Sequence, residues 1–98
     1  MNVLSKSTIV RFYQKNAAAR QGLLTWYDTV SAATWKNMND LHKSYPDADL
    51  VGDDRFVFNI QGNRYRLVAR VSFLYKDVKI KWIGTHADYD KIKDITRV

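Results

Sequence analysis

The sequence predicts an α+β fold in which helices come first and a small twisted antiparallel sheet follows, with residues 1–98 forming one domain. Three observations carry that reading. Apolar residues recur at helical spacing through the first half, Pro46 closes the last such stretch, and strict two-residue alternation takes over from Phe56. A chain of 98 residues rarely divides into two cores. Hydrophobic residues at 46% and aromatics at 13% supply a modest core and argue against disorder.

Each element follows from local pattern. The opening "MNVL" reads as a short edge strand. From Ser7 onward, Ile9, Phe12 and Tyr13 mark a helix, and a second helical segment, Ala17 to Ser31, carries Leu23, Trp26, Tyr27 and Val30 on one stripe. Gly22 within that stretch costs about 1 kcal/mol relative to Ala, which leaves room for a kink or break there. A third helix is expected to start at Thr34 as N-cap and to carry Trp35, Met38, Leu41 and Tyr45. Pro46 ends it, because the residue before a proline is biased away from helical angles. "PDADLVGDD" reads as a turn-rich lead into the sheet.

The strand half is the more informative. "FVFNI" sets Phe56, Phe58 and Ile60 against Val57 and Asn59, and "QGN" is a hairpin connection. From Arg64 to Tyr75 one face holds Tyr65, Leu67, Ala69, Val71, Phe73 and Tyr75; the other holds Arg64, Arg66, Val68, Arg70, Ser72 and Leu74. After a turn near Lys76-Asp77, Val78, Ile80 and Trp82 are expected to face one way, with Lys79 and Lys81 opposite. Packing the helices on the apolar face leaves Arg64, Arg66, Arg70, Lys79 and Lys81 together on the other. A one-residue slip would bury those charges, so the register is strongly specified.

The formal charge is +6 and the pI is about 9.7, which points to a polyanionic partner. Between Arg55 and Trp82 lie seven basic residues and one acid, Asp77; their difference equals the net charge of the chain, so the excess is localised there. Guanidinium forks on a rigid sheet suit phosphate oxygens. The plainer alternative is edge protection against sheet-to-sheet aggregation, but three arginines on one strand exceed what that needs. With no cysteine, disulfides, zinc-thiolate sites and thiol catalysis are excluded. No window nears the roughly 18 apolar residues of a membrane span and no signal peptide is visible, so a cytoplasmic protein is expected.

Past the last strand, Thr85 is a helix N-cap and Asp88 its partner three residues on. Capping does not explain His86 and Tyr89, which a helical turn places on one side. An imidazole exchanges a proton near neutral pH, and RNA carries its own nucleophile in the 2′-hydroxyl. Its cleavage needs proton transfer and cations around a phosphorane-like transition state, and His86 with Arg64, Arg66, Arg70 and Lys81 offers both. A structural role for a lone histidine at a helix start competes with this. His42, beside Leu41, reads as packing or surface. Asp53-Asp54 and Asp88/Asp90 are the only candidate metal carboxylates; no histidine lies at ligand spacing from the first pair, so no metal site is expected, and no cofactor motif is present. The tryptophans read as core residues.

The runs "FVFNIQGNRYRLVARVSF" and "IKWIGTHADYDKI", with the helical "WYDTV" and "ATWKNMNDLHKSYPDADLV", resemble HigB-type toxins of the RelE/ParE-like superfamily over nearly the whole chain. One departure is Asp88, where the family usually has Glu. The resemblance implies a RelE-like fold and a metal-independent mRNA interferase that acts on translated mRNA at the ribosome. It also implies a cognate antitoxin partner, HigA-like and DNA-binding. Carried over by position, it places His86, Arg70, Arg66, Tyr89 and Lys81 in the catalytic region, without dividing acid from base. Arg64, Lys79, Arg55 and Asn59 are the accompanying RNA-contact candidates. Two alternatives stand beside it: a non-catalytic RNA-binding module, and a gyrase-directed toxin of the same superfamily. Salt-dependent RNA binding without shortening would mark the first, altered supercoiling the second.

Overall fold

In the computed structural model, which describes residues 1–98, the chain runs β1 (Asn2–Leu4), α1 (Lys6–Lys15), a 3-10 turn (Ala17–Ala19), α2 (Arg20–Ala32) and α3 (Met38–Ser44). There follow β2 (Asp49–Gly52), β3 (Arg55–Ile60), β4 (Tyr65–Ser72), β5 (Asp77–Thr85), α4 (His86–Asp90) and a final 3-10 turn (Ile95–Arg97). The five strands form one sheet in the order β1-β5-β4-β3-β2. The antiparallel set expected from the alternation is present in β3 to β5, β2 extends it at one edge, and β1 joins the other edge parallel to β5, pairing Val3 with Val78. The sheet is therefore mixed at that edge.

The helices cover one sheet face. Ile9 of α1 and Leu23, Trp26 and Val30 of α2 meet Phe56, Phe58, Ile60, Leu67, Ala69, Val71, Val78 and Ile80 in one continuous core. Trp26 and Phe58 meet edge to face at 5.4 Å, and Tyr45 packs on the same Phe58 ring at 5.2 Å. Removing side chains of this size from water contributes roughly 1.5–3 kcal/mol each, which is why the apolar stripe of each helix dictates where it docks.

Three local expectations are corrected. α2 passes through Gly22 without a break. A Cβ there would lie 2.5 Å from Gln61 Cγ and 2.9 Å from Ile60 Cγ2, so the missing side chain lets the helix close on the β3–β4 turn, where the Gly22 N–H donates to Gln61 Oε1 at 3.2 Å. α3 starts at Met38 rather than after Thr34. Its N-cap is Asn37, whose side chain accepts from the Asp40 N–H at 3.0 Å. Trp35 thus enters the core from a loop, and Met38 is exposed. The lead-in after Pro46 contains a strand, β2, joined to β3 by Asp53 and Asp54, both at positive φ (48° and 58°). Two central residues of that kind make a turn whose twist suits a hairpin.

His42 packs edge to face on Phe56, and its Nε2 lies 2.9 Å from the Ala48 carbonyl oxygen. An acceptor there requires the proton on Nε2, so this histidine serves packing, as its sequence context implied.

Candidate functional site

Arginine and lysine gather on the face opposite the helices because cross-strand partners share a face. Arg55, Arg70 and Lys79 form one row across β3, β4 and β5, and Asn59, Arg66 and Gly84 form another. Four residues along β4 separate Arg66 from Arg70, roughly 13 Å of extended chain.

Between those rows the register shifts. Val68 pairs with Trp82 and Ala69 with Ile80, so Lys81 is an extra residue with no partner on β4. Such a bulge reverses the facing of everything beyond it. Ile83 turns to the helical side, where it packs against the core, while Trp82 turns to the cationic face instead of joining Ile80. The sequence reading of Trp82 as a core residue beside Ile80 is thereby corrected, and Lys81 loses its place in a simple row with Lys79.

The face is also partly covered. Val57 and Val68, on the side away from the helices, are 3% and 0% exposed. The chain after β5 crosses them. α4 packs on β4 and β5, and the turn Ile95–Arg97 reaches β2 on the opposite flank. Arg55 anchors this crossing. It is only 7% exposed, its Nη1 lies 2.6 Å from Asp53 Oδ2, and its Nη2 donates to the Val98 main-chain oxygen at 3.2 Å. The Arg55 guanidinium is therefore directed inward at the chain itself. Asn59 Nδ2 donates to Asp47 Oδ2 at 3.1 Å.

What remains accessible lies on the β4–β5 side. Arg70 and Lys79 are exposed, and with Leu4, Asp54, Ser72, Tyr75 and Asp77 they line a cleft of about 430 Å³. At the other end of the two strands, Thr85 caps α4 by accepting from the Asp88 N–H at 3.1 Å, which fixes His86 as the first helical residue. The His86 backbone N–H donates to the Arg64 carbonyl oxygen at 3.2 Å, tying the helix start to the β3–β4 turn that carries the exposed Arg64.

One turn of helix then assembles a cluster. His86 Nε2 is 3.2 Å from Asp90 Oδ2, and the imidazole side chain is 43% exposed. Its Nδ1 is enclosed without a partner, so Nε2 is the nitrogen available to a substrate. The Arg66 guanidinium lies 4.8 Å above the Tyr89 ring, and its enclosed Nε has no acceptor in the protein. Tyr89 in turn leans on Trp82, with ring centroids 6.1 Å apart and planes at 58°. The geometry thus sets His86 on the same helical turn as Tyr89, whose ring carries Arg66, with Arg64 at the adjoining turn. It sets Arg70 and Lys79 apart in the cleft, and directs Arg55 and Asn59 to internal partners.

Two members of the cluster escaped the sequence reading. In the sequence Asp90 stands out only as a carboxylate for a metal, although its four-residue spacing from His86 on a helix is the signal for the pair. Trp82 was hidden by the bulge, whose one signal was the adjacent apolar pair Trp82-Ile83 interrupting the alternation.

A family model described as the RelE-like toxic component of a toxin-antitoxin system, HigB_toxin, matches residues 19–92. The chain is similar to the mRNA interferase HigB of Escherichia coli O6:H1, with 26% identity over 97 residues, 94% of this chain and 91% of that protein. It is equally similar to the mRNA interferase toxin HigB of Escherichia coli K12 and to the mRNA interferase HigB of Shigella flexneri, at 26% identity over 92 residues, 92% of this chain and 88% of each. The helices α2 and α3, the strands β2 to β5 and the capped C-terminal turn carrying His86 fall within the matched span, and the chain belongs to the HigB toxin family, the RelE-like toxic components of toxin–antitoxin systems.

Proposed function

We propose that this toxin is an endoribonuclease that cuts mRNA, the activity for which its relatives are named, and that the RNA 2′-hydroxyl is the nucleophile. The observation that carries the reading is the convergence of His86, Tyr89 and Arg66 at one end of the cationic face. Attack of the 2′-oxygen forms one bond to phosphorus while the bond to the 5′-oxygen breaks. The 2′-hydroxyl loses a proton and the departing 5′-oxygen gains one, leaving a 2′,3′-cyclic phosphate and a 5′-hydroxyl.

His86 is the member of the cluster that passes the proton, through the Nε2 that Asp90 holds. Arg66 meets the charge that builds on the phosphoryl oxygens, and Tyr89 fixes the plane of its guanidinium. Lys81, the bulge residue, adds positive charge beside the cluster, and Arg64 does so at the turn. Arg70 and Lys79 bind the RNA backbone further along the same strands. Arg55 and Asn59, which the sequence offered as RNA contacts, have internal partners and act by holding the covering segment and the β3 flank.

Restriction to mRNA on the ribosome accords with the small size of this cluster, since much of the substrate orientation must then come from elsewhere. A cytoplasmic location goes with that substrate, and no helix is long and apolar enough to cross a membrane. The partner is an antitoxin, HigA-like and DNA-binding. Incubating the purified toxin with mRNA, with and without assembled ribosomes, tests the reading. Cleavage only with ribosomes is expected; intact RNA in both would remove the activity.

Binding without cleavage is a second reading, favoured by one observation: the enclosed Nδ1 and the Asp90 contact also suit a histidine that merely completes the α4 cap. It predicts retarded but unshortened RNA in the same assay.

A further inference from the structure

We infer that Trp82 is a positioning residue of the candidate site, holding the Tyr89 ring in place and through it the Arg66 guanidinium. The inference rests on the ribonuclease reading above and adds to it the residue on which the cluster is built.

The bulge at Lys81 is the first reason. Unbroken alternation would carry Trp82 to the helical side after Val78 and Ile80, where burying an indole stabilises the fold. The extra residue sends Ile83 there instead and sets the larger aromatic ring on the cationic face. Bulges commonly re-aim a side chain next to an active site, and here the re-aimed group is the indole.

Gly84 is the second. A Cβ at this position would lie 2.4 Å from Trp82 Cη2 and 2.5 Å from Cζ2, so the indole's six-membered ring takes the space a side chain on Gly84 would need. Gly84 is also the cross-strand partner of Arg66. With no side chain at that point, the ring occupies the space beside Arg66 and meets Tyr89 at 6.1 Å.

The third is the order of contacts. Trp82 supports Tyr89, and Tyr89 supports Arg66 by a cation–π contact at 4.8 Å. Arg66 Nε has no acceptor among the protein's atoms, so its orientation depends on the ring beneath it. Without the indole, Tyr89 would be free to turn, and Arg66 with it. A shift of about 1 Å in such a group is worth up to roughly 100-fold in rate.

The test compares wild type, Trp82→Ala, Trp82→Leu, Trp82→Phe, Tyr89→Ala and the Trp82→Ala/Tyr89→Ala double variant in two readouts. One is ribosome-dependent mRNA cleavage; the other is the Arg66 Nε–H resonance, which the Tyr89 ring current displaces. Trp82→Ala and Trp82→Leu are expected to lose about 10- to 100-fold in cleavage and to move the Arg66 signal to its unstacked position. Trp82→Phe, which keeps a ring, is expected to retain both. Trp82→Ala should cause no further loss on the Tyr89→Ala background, because the two act in series. An unmoved Arg66 signal in Trp82→Leu, or additive losses in the double variant, would overturn the inference. If wild type cuts no RNA, the ribonuclease reading fails, and the Arg66 signal alone decides whether Trp82 holds the pair.

Discussion

His86 Nε2 faces Asp90 Oδ2 at 3.2 Å, one helical turn further along α4. The pair is built by the Thr85 cap, which fixes where the helix begins and therefore which side chains lie four residues apart on one side. Because Nδ1 is enclosed, Asp90 is the group that orients the only accessible nitrogen.

Asp90→Asn should therefore slow mRNA cleavage by about tenfold, a fraction of the usual worth of a proton-transfer group, while leaving RNA affinity within about twofold. Asp90→Glu should restore part of the rate. Single-turnover cleavage beside a binding titration separates the two quantities. An Asp90→Asn variant of full activity would mean that the contact serves only the helix.

Arg70 and Lys79 are exposed partners across β4 and β5, so their replacement should leave folding intact and weaken RNA binding electrostatically. Each alanine variant should reduce the slope of log affinity against log salt by about one contact, uniformly across sequences. A salt titration with several RNAs checks this.

Arg55 should behave in the opposite way. It is buried and joins the β2–β3 turn to the end of the chain through Asp53 and Val98. Arg55→Ala should destabilise the fold by about 1–3 kcal/mol, leaving RNA salt dependence unchanged. Hydrogen exchange should rise first in residues 92–98, which would then no longer be held against β2 and β3.

Tyr45 supplies a pH dependence. Burial raises its phenol above the ordinary value of 10.0, and a hydrogen bond with Thr29 opposes part of that rise. The folded state thus favours the neutral phenol. Its contribution is complete below the unfolded value near 10 and is lost as pH rises through the higher folded value. Thermal melts of wild type should fall faster above pH 10 than those of Tyr45→Phe; parallel curves would contradict the assignment.

Much of this was legible in the chain. The alternation of β3 and β4 placed Arg66 and Arg70 opposite the helices, and Thr85 with Asp88 marked the cap that presents His86. Pro46 and the apolar stripes located the helical layer. The rest depended on contacts between segments distant in sequence. The β5 bulge is set by pairing with β4, and nothing in Lys79–Trp82 alone says that Lys81 will be skipped. The burial of Val57 and Val68 depends on a C-terminal crossing whose residues carry no strong period. Arg55 looked like its neighbours in composition, and only the Val98 contact sets it apart. The late start of α3 reflects competition between two caps: Asn37 finds the Asp40 N–H, and Trp35 is drawn into the core, where its indole Nε1 donates to Ser44 at 3.1 Å.

Mapping mRNA 5′ ends after induction of wild type and of His86→Ala is the most direct test of the phosphodiester chemistry assigned to the cluster. Wild type should generate new internal ends bearing 5′-hydroxyls, paired with 2′,3′-cyclic phosphates, and His86→Ala should generate none while folding normally. Equal cleavage by both would remove His86 from the chemistry, and intact mRNA under wild type would contradict the assignment altogether.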